Sequence, residues 1–294
     1  FVTTFYFCVV EPRLKIFEIK VIKFINNGII IATCAFTGYL FLISLPDYVE
    51  GISPILRFAL VALVLLGAVF SSTDIRYVKI LSLSSTWLFF SLILGMWVFG
   101  GLGVNGLATN LLQIGGYFSN LHEFIVPMSD HHAFYLFWWF AWSIMIGQFV
   151  ARFVGGLQTW QLLLALLIIP SIPIAIWFSV LFGIYETGKD ITGLMNGLMV
   201  LVGLVFVVNS LDSLTRLYTE NLQWTVERLG RWNYIALHWV LLYSLILLYQ
   251  FTPFQIEWVG LVVIGLYVVI ALLIAVRRER LIEVVAHKPV KTRE

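Results

Sequence analysis

VGLVVIGLYVVIALLIAV, Val259–Val276, runs for eighteen residues without one charged side chain. As an α-helix such a stretch is about 27 Å long, close to the hydrocarbon thickness of a bilayer. Seven more runs of similar length precede it: Phe24–Leu45, Ser53–Ser71, Ile80–Phe99, Ala133–Val150, Leu162–Leu181, Leu194–Leu211 and Trp232–Phe251. They are continuously apolar rather than striped. This excludes the amphipathic helices of a soluble domain and the alternating strands of a membrane barrel. Helices are the remaining way to satisfy backbone polar groups in lipid. The chain therefore reads as an all-α polytopic membrane helix bundle with eight transmembrane helices. Composition agrees, with 61% hydrophobic and 12% charged residues against about 45–50% and about 25% in soluble domains.

Charge orients the bundle. With the N-terminus inside, every Lys and Arg except Arg57 and Lys189 falls on the inner side, while Asp47, Glu50, Glu123, Asp130, Glu186, Asp190 and Glu257 fall outside. This alternation follows the positive-inside rule at each loop and predicts a multi-pass protein of the cell membrane with both ends cytoplasmic. The basic tail at 277–294 is read as a solvated stop-transfer segment. The two cysteines, Cys8 and Cys34, have no metal-ligand spacing, so neither a zinc site nor a disulfide framework is expected. No nucleophile, base and orienter stand at a recognisable spacing. An enzyme is not expected, nor is a cofactor or a nucleic-acid partner.

Two segments break the pattern. Phe1–Val10 (FVTTFYFCVV) is apolar but about half a span long, and Glu11, Pro12, Arg13 and Lys15 follow it. It reads as the tail of an earlier outside-to-inside span. Between Gly103 and Met128, apolar residues at Leu111, Leu112, Ile114, Phe118, Leu121 and Phe124 keep roughly helical spacing. That suggests an amphipathic helix on the outer surface, with Asn105, Asn110, Gln113 and Asn120 toward water or headgroups. The Asp130-His131-His132-Ala133 run that follows resembles the Asp-His-His-Cys signature of membrane palmitoyltransferases, but Ala133 stands where that chemistry needs a thiolate. His131 and His132 are read as outer-mouth residues.

The fourth run, AFYLFWWFAWSIMIGQFV, carries Trp138, Trp139 and Trp142. Trp138 and Trp142 lie one helical turn apart on a shared face, and Trp139 is rotated by about 100° from Trp138. Two readings stand on the residues alone. One is a belt at the lipid interface. The other is a wall of indoles around a single concavity, favoured by the depth of Trp142, roughly 13 Å below the start of the run.

The run FYLFWWFAWSIMIGQFVARFVGG resembles the signature helix of the betaine/carnitine/choline transporter (BCCT) family, with Phe134, Tyr135, Trp138, Trp139, Trp142, Gly147, Phe149, Ala151 and Arg152 in place. Pro170 and Trp177 to Gly183 (WFSVLFG) resemble the pattern of the family's next span. Asn209 to Thr215 (NSLDSLT) resembles its TSSDSAT segment, and Asn110 to Leu121 its linking helix. The resemblance implies a partial leucine-transporter-like inverted-repeat fold. Residues 1–23 would be the stub of a preceding span with a cytoplasmic linker, and 24–100 three spans closing the first repeat. Residues 101–132 would be the extracytoplasmic linking helix, 133–276 the five spans of the second repeat, and 277–294 a basic cytoplasmic tail.

Function is implied in the same way: secondary active import or exchange of a quaternary-ammonium solute of the glycine betaine, choline or carnitine type. Trp138, Trp139, Trp142 and Tyr135 would bind the solute. Phe206, Asn209 and Ser210 would bind a coupling ion, sodium or proton, and the family resemblance implies a homotrimer. The chain departs from the family pattern at Leu136 for tryptophan, Ile144 for proline, Gly155-Gly156 within a basic turn, and Asn209 for threonine. The alternative reading is a non-transporting membrane scaffold or regulatory remnant of the same family.

Overall fold

The computed structural model describes residues 1–276, so the basic tail expected at 277–294 lies outside the described residues. Nine long helices follow one another: α1 (Lys20–Tyr48), α2 (Pro54–Ser71), α3 (Ile75–Gly100), α4 (Val104–Ser119), α5 (Asp130–Phe153), α6 (Thr159–Glu186), α7 (Gly193–Leu222), α8 (Arg231–Phe251) and α9 (Ile256–Val276). All but α4 are long and apolar enough to cross a membrane, which makes eight such helices among the described residues. The chain is an all-α polytopic bundle. Residues 2–18 form short consecutive helical turns, broken at Lys15, whose φ of 50° is left-handed.

The helix ends obey local chemistry. Ser53 caps α2 by accepting the Leu56 N–H, ahead of Pro54 in the first turn. Asp74 caps α3 by accepting the Arg76 N–H at 2.9 Å and pairs with the Arg76 guanidinium at 2.7 Å. Those bonds hold the Asp74 carboxyl down at about 2.

The largest difference from the sequence reading is at α7, expected to stop near Leu211 but continuing to Leu222. Hydropathy falls after Leu211 because Asp212, Thr215 and Thr219 are polar, yet all three are buried in the bundle. The helix then ends in a Schellman motif: Gln223 N–H reaches Glu220 O at 3.3 Å and Trp224 N–H reaches Thr219 O at 2.8 Å. Gln223 has a φ of 59°, a conformation that costs a side-chain-bearing residue about 1–2 kcal/mol. Gln223→Gly is accordingly expected to raise the unfolding temperature of the purified protein in detergent. A drop would show that the glutamine side chain contributes more than the strain removes.

The bundle divides into two compact units. One comprises residues 1–33, 134–165 and 255–276; the other comprises 34–133 and 166–254. In the second unit α7 packs against α2 and α3, and α8 against α2. Leu92, Met96, Val180, Ile184 and Val202 form an apolar core from α3, α6 and α7. Trp239 and Tyr243, stacked one turn apart on α8, reach the α2 backbone: Trp239 Nε1 donates to Ala62 O at 2.9 Å and the Tyr243 hydroxyl to Phe58 O at 3.5 Å.

In the first unit Asn26 of α1 and Gln148 of α5 exchange amide hydrogen bonds at 2.7 and 3.3 Å, both side chains buried. One helical position away, Gly147 lets the N-terminal turns lie directly on α5. A Cβ there would sit 2.8 Å from the Phe7 ring and 3.0 Å from the Thr3 carbonyl, closer than backbone can approach a side chain.

Candidate functional site

Helix α5 begins where the local chemistry says it should. The Ser129 hydroxyl accepts the His132 N–H at 3.1 Å, and His132 Nδ1 in turn accepts the Met128 N–H at 3.2 Å. The first bond satisfies an N–H donor that the helix start leaves unpaired, and the second ties the chain ahead of the cap to His132, which gives His132 a structural role.

Downstream on the same helix the four aromatic residues singled out in the sequence come together. Tyr135 and Trp138 have ring centroids 6.0 Å apart, Trp138 and Trp139 5.6 Å, and Trp138 and Trp142 6.3 Å, the last pair perpendicular at 89°. Trp138 and Trp142 are half-buried, whereas Trp139 is 56% exposed and Tyr135 41%. The indole N–H groups of Trp138 and Trp142 are both buried without a hydrogen-bond partner. A buried unpaired donor costs about 1–3 kcal/mol, so two of them on one helical face mark a place where a ligand acceptor or an ordered water is stabilising. A π-face attracts a cation by its quadrupole without requiring a proton from the ligand.

Phe206, Asn209 and Ser210, the suggested ion ligands, share one face of α7 by their spacing. They belong to the second unit, whereas the tryptophans belong to the first. Phe206 meets Phe89 of α3 edge-on at 5.6 Å. Asn209 Oδ1 accepts from the Ser82 hydroxyl of α3 at 2.8 Å. Ser210 is half-buried one position further on.

Asp212 admits two readings from the sequence, a functional acid at membrane depth and a capping or loop residue facing the cytoplasm; the structure overturns the second. Asp212 lies inside α7, fully buried, accepting hydrogen bonds from the Ser71 hydroxyl at 2.7 Å and the Ser213 hydroxyl at 3.1 Å.

Around it runs a polar layer that sequence reasoning missed. Ser72 bonds the Tyr234 hydroxyl at 3.0 Å and Tyr234 the Thr219 hydroxyl at 3.3 Å. His238 is buried with Nε2 3.3 Å from Trp224 O and Nδ1 3.0 Å from the Tyr218 hydroxyl. A carbonyl only accepts, so Nε2 carries the proton and Tyr218 donates to Nδ1. The available signal was the run of hydroxyl residues after Leu211, which the drop in hydropathy disguised as a headgroup segment.

The linking helix α4 corrects a second expectation. Asn110 does not face water: it is buried and donates through Nδ2 to Ser179 O of α6 at 3.2 Å. Gly183, at the end of the WFSVLFG stretch, makes this possible, since a Cβ there would lie 2.6 Å from Leu102 and 2.8 Å from Asn110 Nδ2. Asn105, Gln113 and Asn120 are exposed.

The model of the BCCT family, described as betaine/carnitine/choline family transporter, matches residues 37–191. That stretch runs from within α1 to the loop after α6 and contains the three tryptophans; α7 lies beyond it. Among curated proteins, a glycine betaine/proline/choline/ectoine transporter of Vibrio parahaemolyticus is 33% identical over 72 residues, covering 20% of this chain and 13% of that one. Glycine betaine transporter 1 of the same organism is 30% identical over 95 residues, 28% of this chain and 18% of the relative. An uncharacterized transporter of Mycobacterium tuberculosis is 30% identical over 77 residues, 23% and 13% respectively. The chain thus spans well under two thirds of the length of these relatives.

Proposed function

Because the chain belongs to the betaine/carnitine/choline transporter family, a family of transporters and not of enzymes, we propose that it forms part of the solute path of a secondary transporter for quaternary-ammonium compounds. The observation that carries this reading is the cluster of aromatic rings on α5, with Trp138 and Trp142 centroids 6.3 Å apart and Tyr135 and Trp139 within 6.0 and 5.6 Å of Trp138. A trimethylammonium group has no proton to donate, so hydrogen bonds cannot hold it, whereas each indole face contributes roughly 0.5–2 kcal/mol. Three rings together contribute at most roughly 1.5–6 kcal/mol, set against the roughly 4–8 kcal/mol of millimolar to micromolar binding. The names of the Vibrio relatives, glycine betaine and choline among their solutes, support the same class.

For the coupling ion, Phe206, Asn209 and Ser210 on α7 are the candidate residues. Sodium is the natural ion for carbonyl and hydroxyl oxygens such as those of Asn209 and Ser210, and a proton is the alternative. The protein is read as a cell-membrane protein with both ends inside, from the charge distribution, and as a homotrimer from the family.

The test is uptake of labelled choline, glycine betaine and carnitine by the full-length protein in cells lacking other such systems, each with the other two and proline as competitors, in sodium and in a sodium-free buffer. Competition by the trimethylammonium compounds, well ahead of proline, is the expected result. Absence of uptake for all of them, in either buffer, would reject the reading.

A further inference from the structure

Helix α5 carries its tryptophans through surroundings that do little to fix which way they point. Between Ala133 and Val150 the one amide side chain is Gln148, and the seam it shares is otherwise Ala141, Ile144 and Met145, all fully buried. Aliphatic side chains and lipid tails are equally apolar, so such a seam gains little from one rotation of the helix over another. Close packing and interhelical hydrogen bonds are what discriminate. The Ser143 hydroxyl meets the Tyr267 hydroxyl of α9, but a hydroxyl turns about its C–O bond and tolerates a range of helix settings. The Gln148 amide is more demanding. Its Nε2 donates to Asn26 Oδ1 of α1 at 2.7 Å and its Oε1 accepts from Asn26 Nδ2 at 3.3 Å, both side chains being buried.

Two reciprocal bonds between planar groups fix direction as well as distance. Side chains reach about 5–6 Å from the helix axis, so a turn of α5 by about 30° carries the Gln148 amide about 3 Å. Neither bond survives such a displacement. Around the axis Gln148 stands roughly 80° from Trp138 and roughly 120° from Trp142, and about 15 and 9 Å along it. With the amide pair on the buried seam, the two tryptophans are held on its flank, half-buried. Neither indole N–H bonds to Gln148, so the pair acts on the rings through the rotation of α5. Buried polar pairs add little stability over apolar residues of the same shape, and their best-attested use is to select one register among several.

We propose that Asn26 and Gln148 are positioning residues for the tryptophan face: their amide pair sets the rotation of α5 and so the direction in which Trp138 and Trp142 present their rings. The inference rests on the transport reading in taking that face as the one that meets the solute, but the orientation of the rings is measurable with no solute present.

The test takes fluorine NMR spectra of the full-length protein labelled with fluorotryptophan, the lines of Trp138, Trp142 and Trp239 being assigned by replacing each in turn with phenylalanine. Asn26→Leu/Gln148→Met removes both amides together, so no buried polar group is stranded and the fold is kept. Asn26→Gln/Gln148→Asn keeps two amides of the same combined length. The expected result is that the Trp138 and Trp142 lines move in the apolar double variant while that of Trp239 on α8 stays, and that the exchange variant returns them. Should the apolar variant not be recovered from the membrane, Gln148→Asn, one carbon short of its partner, is expected to move the same two lines. The half-saturating choline concentration should rise severalfold in the apolar variant, short of the roughly thirtyfold that one indole face can contribute, and fall back with the exchange. Lines that stay put when the amides are lost overturn the proposal, whatever the unfolding temperature does. So do lines that move and fail to return, and so do shifted rings with an unchanged half-saturation. A parent protein that takes up no choline rejects the transport reading instead, and the fluorine lines still decide this one.

Discussion

Trp138→Leu and Trp142→Leu are each expected to lower choline uptake by the full-length protein by up to about thirtyfold at concentrations below saturation, and the double variant to leave only background. The size follows from the ring energetics. One indole contributes up to roughly 2 kcal/mol to a desolvated cation, and each 1.4 kcal/mol is a factor of about ten. Leucine keeps most of the apolar volume but has no quadrupole, so the change isolates the electrostatic attraction from packing. Trp142→Phe is expected to fall between, since a benzene face attracts a cation less than an indole face does. Trp139, more exposed at 56%, is expected to matter less than either. A half-buried tryptophan also packs. The readout must therefore include surface abundance and the shift in unfolding temperature that choline produces. Normal abundance with lost uptake and a lost choline shift is the expected pattern; full uptake in the double variant would remove the chemistry on which the transport reading rests.

The membrane-spanning part of this architecture was legible because its signal is local. A run such as Val259–Val276 contains its own backbone hydrogen bonds and needs no partner to declare itself helical, and α9 is found at Ile256–Val276. The tryptophan cluster was legible for the same reason, since four residues on neighbouring turns of one helix meet wherever that helix lies. What could not be read was every feature that depends on a distant partner. Asp212 could be read as an end signal as readily as an acid at membrane depth because its donor, Ser71, is 141 positions away. Asn110 looked solvent-facing because neither the Ser179 carbonyl nor the space left by Gly183 can be inferred from α4. Gly147 was matched as part of a motif, but its reason, the close passage of Thr3 and Phe7, is a fact of packing.

Asp212→Ala is expected to destabilise the protein by about 1–3 kcal/mol, read as a lowered unfolding midpoint in detergent. The carboxylate accepts from Ser71 on α2 and from Ser213 beside it, in a position with no exposure. Removing it strands the Ser71 hydroxyl where water cannot replace the lost acceptor, and a stranded buried group costs more than the net worth of the bond. Asp212→Asn separates the contributions. Its carboxamide oxygen still accepts from Ser71, so if the hydrogen bond is what matters the asparagine variant keeps most of the stability. If asparagine is as damaging as alanine, the negative charge itself holds α2 against α7. Ser71→Ala in the Asp212→Ala background should cost little more, because the donor that was stranded is then gone. An Asp212→Ala protein that unfolds with the parent would mean that this bond contributes nothing. The extension of α7 past Leu211 would then have to rest on its apolar contacts through Leu214 and Leu217 and on the Tyr218–His238 and Thr219–Tyr234 hydrogen bonds.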